Sequence, residues 1–61
     1  MAELTTRQRE VALLAHKSNA EIGKALGISA NTVKAHMVGV FLKLEVNDRR
    51  EVVARVARGE L

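Results

Sequence analysis

Few of the 61 residues carry groups that could do chemistry. The chain has no cysteine, which excludes a disulfide framework and a thiolate-ligated zinc finger and gives no sign of an oxidising compartment. His16 and His36 stand twenty positions apart, and two imidazoles fall short of the tetrahedral ligand set of structural zinc. There is no Ser/His/Asp triad, carboxylate pair or phosphate-cradling glycine run, and so short a chain cannot enclose a substrate pocket of several hundred Å³. An enzyme, a metal centre, a cofactor site and a small-molecule site are therefore not expected.

The stretch that does carry a pattern runs from Ser29 to Leu44, SANTVKAHMVGVFLKL, and fits one helix of roughly 24 Å at about 1.5 Å per residue. At about 100° per residue Val33, Met37, Val40 and Leu44 share one side, while Asn31, Ala35, Val38 and Leu42 share the other. The first is a core face. The second is small, weakly apolar and uncharged, edged by Lys34 on one flank and by Thr32 and Lys43 on the other, which is unusual for a face turned only to water. A rod of this kind is suited to insertion, and the reading adopted here is that it enters the DNA major groove as the recognition helix of a helix-turn-helix.

Charge placement supports an anionic partner. Ten Lys and Arg against seven Asp and Glu give only +3, but the window from His16 to Lys43 holds Lys17, Lys24, Lys34 and Lys43 against Glu21 alone. The whole net charge sits there, on a neutral frame. Length allows one domain, residues 1–61, and a chain this small buries only about 60% of its unfolded surface, so dimerisation is the support that remains to it. No apolar run approaches the roughly 20 residues that span a bilayer, and Met1 does not open a signal segment. The expectation is a soluble, cytoplasmic protein, associated with the nucleoid when bound.

Caps divide the chain into four helices, an all-α fold. Thr5 with Gln8 is a capping-box spacing that starts helix 1 near Thr6; Val11, Leu14 and Ala15 share its buried face, and it should end near Ala15 or His16. Arg7, Arg9 and Glu10 lie off that face as solvated charges. Ser18 with Glu21 opens helix 2 over Asn19 to Leu26, with Ile22, Ala25 and Leu26 as its stripe, and Gly27 stops it in the left-handed conformation. Ser29 caps the next helix two residues later, a turn too short for an antiparallel pair, and Gly23 lets helix 3 approach helix 2 closely. Helix 3 runs to Lys43 or Leu44. Asn47 and Asp48 with Glu51 then open helix 4, Arg49 to Arg58, closed by Gly59.

The run Ser18-Asn19-Ala20-Glu21-Ile22, then Leu26-Gly27-Ile28-Ser29, Thr32-Val33-Lys34, His36, and Lys43-Leu44 with Val46 and Arg49, resembles the DNA-binding domain of LuxR/GerE/NarL-type bacterial transcription regulators. The likeness covers nearly the whole chain, from Leu4 to the final Leu61. It implies a four-helix domain whose second and third helices form the helix-turn-helix, with the third reading promoter DNA and the fourth often dimerising. Family members carry a slightly longer stretch before the Ser-Asn pair, and here His16 and Glu45 stand where glycine is common. A non-glycine residue in the left-handed region costs on the order of 1 kcal/mol, so these two ends should be closed differently or slightly strained.

By the same resemblance Lys34 and Ala35 approach base edges, and Val38 lies one turn further along. Lysine can donate to guanine O6 or N7, whereas alanine and valine meet only thymine methyl groups, so T is expected at one or two positions. Asn31 suits either an adenine or a phosphate. Lys17, Thr32, Lys43 and the amides opening helix 3 are placed for phosphates, with Ser18 and Ser29 capping first and touching phosphate second. His36, at the edge of the core face, reads as a packed, hydrogen-bonded structural residue. Met37 and Phe41 belong in or near the core, and Leu42 fits partner contact and plain exposure equally. Val52, Val53 and Val56 with Ala57 make a stripe that is either a homodimer seam or packing on helix 1. The rival function is a protein-interaction module on the same fold. The chain fits an excised output domain beginning at an added Met1 as well as it fits a natural short regulator.

Overall fold

A computed structural model describes residues 3–61. Four helices follow in order, α1 (Thr6–Leu13), α2 (Asn19–Leu26), α3 (Ala30–Leu44) and α4 (Arg49–Ala57), with no strand among the described residues. Each begins at the expected side-chain cap. The Thr5 hydroxyl accepts from the Gln8 amide while the Gln8 side chain accepts from the Thr5 amide, at 3.1 and 3.0 Å, and Ser18 and Glu21 repeat this exchange at 3.1 Å in both directions. Ser29 accepts from the Thr32 amide, and Asp48 from the Arg50 amide. Every cap removes an orphan donor that the helix start would otherwise leave to water.

Three helices end alike. Gly27 (φ 72°), Glu45 (φ 56°) and Gly59 (φ 71°) are left-handed, and the next amide reaches back to the carbonyl five residues earlier: Ile28 to Gly23, Val46 to Phe41, Glu60 to Arg55, at 2.9, 3.1 and 2.8 Å. These are Schellman closures. The two expected irregular ends separate here, because Glu45 takes the left-handed position despite its Cβ and His16 does not. Helix 1 closes early at Leu13, not at Ala15 or His16, and short turns from Leu14 to Val11, Ala15 to Ala12 and Lys17 to Leu14 carry the chain to Ser18. With fewer residues available before the α2 cap, a left-handed closure is replaced by a tightened turn.

The core lies where α3 crosses α1 and α2. Val11, Ala12, Ala15, Ile22, Val33, Met37, Val40, Val46 and Val52 are buried, ringed by half-buried Leu4, Leu14, Leu26, Ile28, Phe41, Leu44, Val53, Val56 and Leu61. Ala25, expected in the α2 stripe, is exposed; the side of α2 that meets α3 is made by Ile22 and Gly23. Between α2 and α3 the chain turns by 104°, within the range of a helix-turn-helix joint. Gly23 makes that joint possible, since a Cβ there would stand 2.5 Å from the Ile28 carbonyl oxygen and 3.3 Å from the Ser29 carbonyl carbon. Among the described residues no single helix is long and apolar enough to cross a membrane.

Candidate nucleic-acid interface

The side of α3 away from the core is open. Asn31, Thr32, Lys34, Ala35, Val38 and Leu42 are all exposed, while Val33, Met37 and Val40 on the opposite side are buried. Val38 is 50% and Leu42 73% accessible, so the strip is an uncovered apolar surface beginning with an amide and a lysine. Fifteen residues give the rod about 22 Å of length, and its small side chains keep it slim enough for a groove about 12 Å wide. The structure brings Asn31, Lys34, Ala35 and Val38 together on this one face. Leu42 continues it and is exposed, as both partner contact and plain exposure require.

The expected phosphate-facing residues separate into three positions. Lys17 and Ser18 are exposed at the entrance to α2, and Ser29 and Thr32 are exposed at the entrance to α3, their hydroxyls 2.9 Å apart. Lys43 differs, because its Nζ donates to the Glu3 carbonyl at 3.0 Å and so ties the N-terminal segment to the end of α3. Any phosphate contact by Lys43 has to share or displace that bond. His36 is half-buried at the edge of the core face as expected, yet no hydrogen bond to its ring is present among the described residues. The hydrogen bond expected for it is therefore not made within the described residues.

Electrostatics sharpen the contrast between faces. Arg7 pairs with Glu10, Arg50 with Asp48 and Arg58 with Glu60, whereas Lys17, Lys24 and Lys34 have no ion pair among the described residues. Three arginines are thus neutralised within the frame, while these lysines keep the field of the α2–α3 face. Lys17, Lys24, Glu21 and Ala25 line an open groove on α2. The Glu21 carboxyl there is held below its ordinary value by the Ser18 amide, then by the Ser18 hydroxyl, with Lys17 and His16 adding to the effect. It therefore stays ionised at neutral pH and partly offsets its two lysine neighbours.

Two residues escaped the sequence reading. Arg49 was visible only as part of a motif, yet its Nε donates to the Ala15 carbonyl at 2.8 Å and its Nη2 to the Lys17 carbonyl at 2.9 Å. Gly39 lies where a Cβ would stand 2.5 Å from Gln8 Nε2, so α1 and α3 meet closely there. Periodicity carries no signal for either, because each answers to a segment more than thirty residues away. On α4, Val52 has no accessible surface and belongs to the core, which removes it from the expected dimer seam; one side of α4 must face α1 and α3. Val53 and Val56 are half-buried and Ala57 is exposed.

Comparison with known proteins agrees with this geometry. Residues 2–56 match the model of "Bacterial regulatory proteins, luxR family". YhjB of Escherichia coli (strain K12), named as an HTH-type transcriptional regulator, is 47% identical over 53 residues, which covers 84% of this chain and 26% of that protein. The response regulator protein VraR of Staphylococcus aureus (strain Mu3 / ATCC 700698) is 46% identical over 52 residues, 82% of this chain and 25% of its own, and VraR of Staphylococcus saprophyticus gives the same values. The chain thus spans about a quarter of the length of the curated relatives it matches. No solved structure matches it. With four helices, a 104° joint and an uncovered third helix in place, the chain belongs to the LuxR family of bacterial regulatory proteins, as a helix-turn-helix DNA-binding domain and not an enzyme.

Proposed function

We propose that α3 lies in the major groove of promoter DNA with Asn31, Lys34, Ala35 and Val38 toward the base edges, while Lys17, Ser18, Ser29, Thr32 and Lys43 meet phosphates. The observation that carries this reading is the uncovered strip on α3, apolar and unpaired, on a helix set 104° from its neighbour. A face left to water alone gains nothing from valine at 50% exposure; a face that meets thymine methyl groups does. The protein acts as a homodimer on two half-sites, with the seam at Val53, Val56 and Ala57 of α4, in the bacterial cytoplasm and on the nucleoid when bound. Selection from a random DNA pool tests the reading as a whole. The enriched sequence is expected to hold two half-sites about one helical turn apart, each with T at one or two positions. Val38→Lys should lose that preference. An unchanged preference in the variant, or no enrichment by the parent, overturns the reading.

A further inference from the structure

The turn between α1 and α2 has little to hold it. From Leu14 to Lys17 its internal bonds are three tight ones, and the Ala15 and Lys17 carbonyls accept from no backbone amide among the described residues. Leu14 and Ala15 anchor its first half against the core, whereas His16, Lys17 and Ser18 are exposed, so its second half has no apolar anchor. What holds those two carbonyls is Arg49, the first residue of α4, through Nε at 2.8 Å and Nη2 at 2.9 Å. These two nitrogens lie on one edge of a planar guanidinium, so a single rigid group spans both acceptors and sets the path of the backbone between them. Unlike Arg7, Arg50 and Arg58, Arg49 is in no ion pair among the described residues, and its guanidinium is given to these two backbone carbonyls.

We infer that Arg49 is a positioning residue for DNA: by gripping the Ala15 and Lys17 carbonyls it fixes the turn from which Lys17 and Ser18 reach the phosphate backbone. The inference rests on the proposed phosphate role of Lys17 and Ser18. It makes α4 part of the binding apparatus without any contact to DNA of its own.

Arg49→Lys tests it, since it keeps the net charge and loses the fork. Affinity for a duplex carrying the sequence enriched by the parent is measured across salt concentrations, at a temperature where circular dichroism shows each protein folded. Lys17→Gln in the parent should reduce the slope of log affinity against log salt by about 0.9 per bound copy, the release expected for one phosphate each. Arg49→Lys should reduce it by a similar amount with the same base preference, and adding Lys17→Gln to Arg49→Lys should change it little further, because the two substitutions remove one contact. A full slope in Arg49→Lys, or an undiminished Lys17→Gln effect in its presence, overturns the inference and leaves the phosphate reading standing. No effect of Lys17→Gln in the parent overturns both. If Arg49→Lys is unfolded, the set is repeated on Glu45→Gly, which relieves strain at the far end of α3.

Discussion

Single side chains decide how this small domain responds to acid and to strain. Two capping boxes of the same geometry differ in one atom set: Gln8 closes the first and does not titrate, whereas Glu21 closes the second and has a lowered pKa, chiefly through the Ser18 amide. A depressed carboxyl stabilises fully above its unfolded value, near 4.5, and that stabilisation is lost as pH falls through the folded value. Asp48, lowered by the Arg50 side chain and then its amide, acts in the same direction at the start of α4. Urea unfolding followed from neutral pH downward should therefore show acid destabilisation, and Glu21→Gln, which keeps the box, should flatten part of it. A slope identical to the parent's would remove Glu21 from this role. Glu45 is the complementary case, because a left-handed residue with a Cβ is strained. Glu45→Gly should stabilise by about 0.5–1 kcal/mol, the relieved strain offset in part by the greater freedom of glycine in the unfolded chain. The urea midpoint reports it.

Between elements, glycine sets how closely helices approach, and the consequence depends on what a Cβ would strike. At Gly23 the obstacle is backbone, the Ile28 carbonyl at 2.5 Å, which cannot move without opening the α2–α3 joint. Gly23→Ala should cost about 1–3 kcal/mol and weaken DNA binding beyond what the unfolded fraction explains, measured by urea titration and duplex binding together. At Gly39 the obstacle is the end of the Gln8 side chain, which can swing away. Gly39→Ala should then be close to neutral, since the helix propensity gain of about 1 kcal/mol offsets the weakened Thr5–Gln8 box. Equal losses at the two positions would show that helix spacing is not what Gly23 controls.

For the whole molecule, size limits what one copy can do. Its longest extent is 28 Å, shorter than the roughly 34 Å between successive major-groove faces on one side of B-DNA, so two half-sites need two copies. In the proposed pairing the seam is the edge of α4 at Val53, Val56 and Ala57, which are half-buried or exposed. Sedimentation on two-half-site DNA should show a dimer, and Val56→Glu should abolish pairing while binding to one half-site persists; a strict monomer in the parent would rule the seam out. Because three arginines are neutralised within the frame, the salt dependence should also be shallow, a slope of about −2 to −3 per copy.

Much of this was legible in the chain because it is local. Caps, left-handed stops and the two faces of α3 depend on residues within one or two turns, and Thr5, Ser18, Gly27, Ser29 and Asp48 act as their types and spacing required. Family membership was legible for the same reason, being carried by short runs across the joint. Local pattern could not decide which apolar residues would find partners. Val52 went to the core and Ala25 to water because burial depends on which elements meet, and Lys43 and Arg49 found backbone carbonyls 40, 34 and 32 residues away. Periodicity gives a side chain its direction from the helix; only the packed chain supplies what lies in that direction.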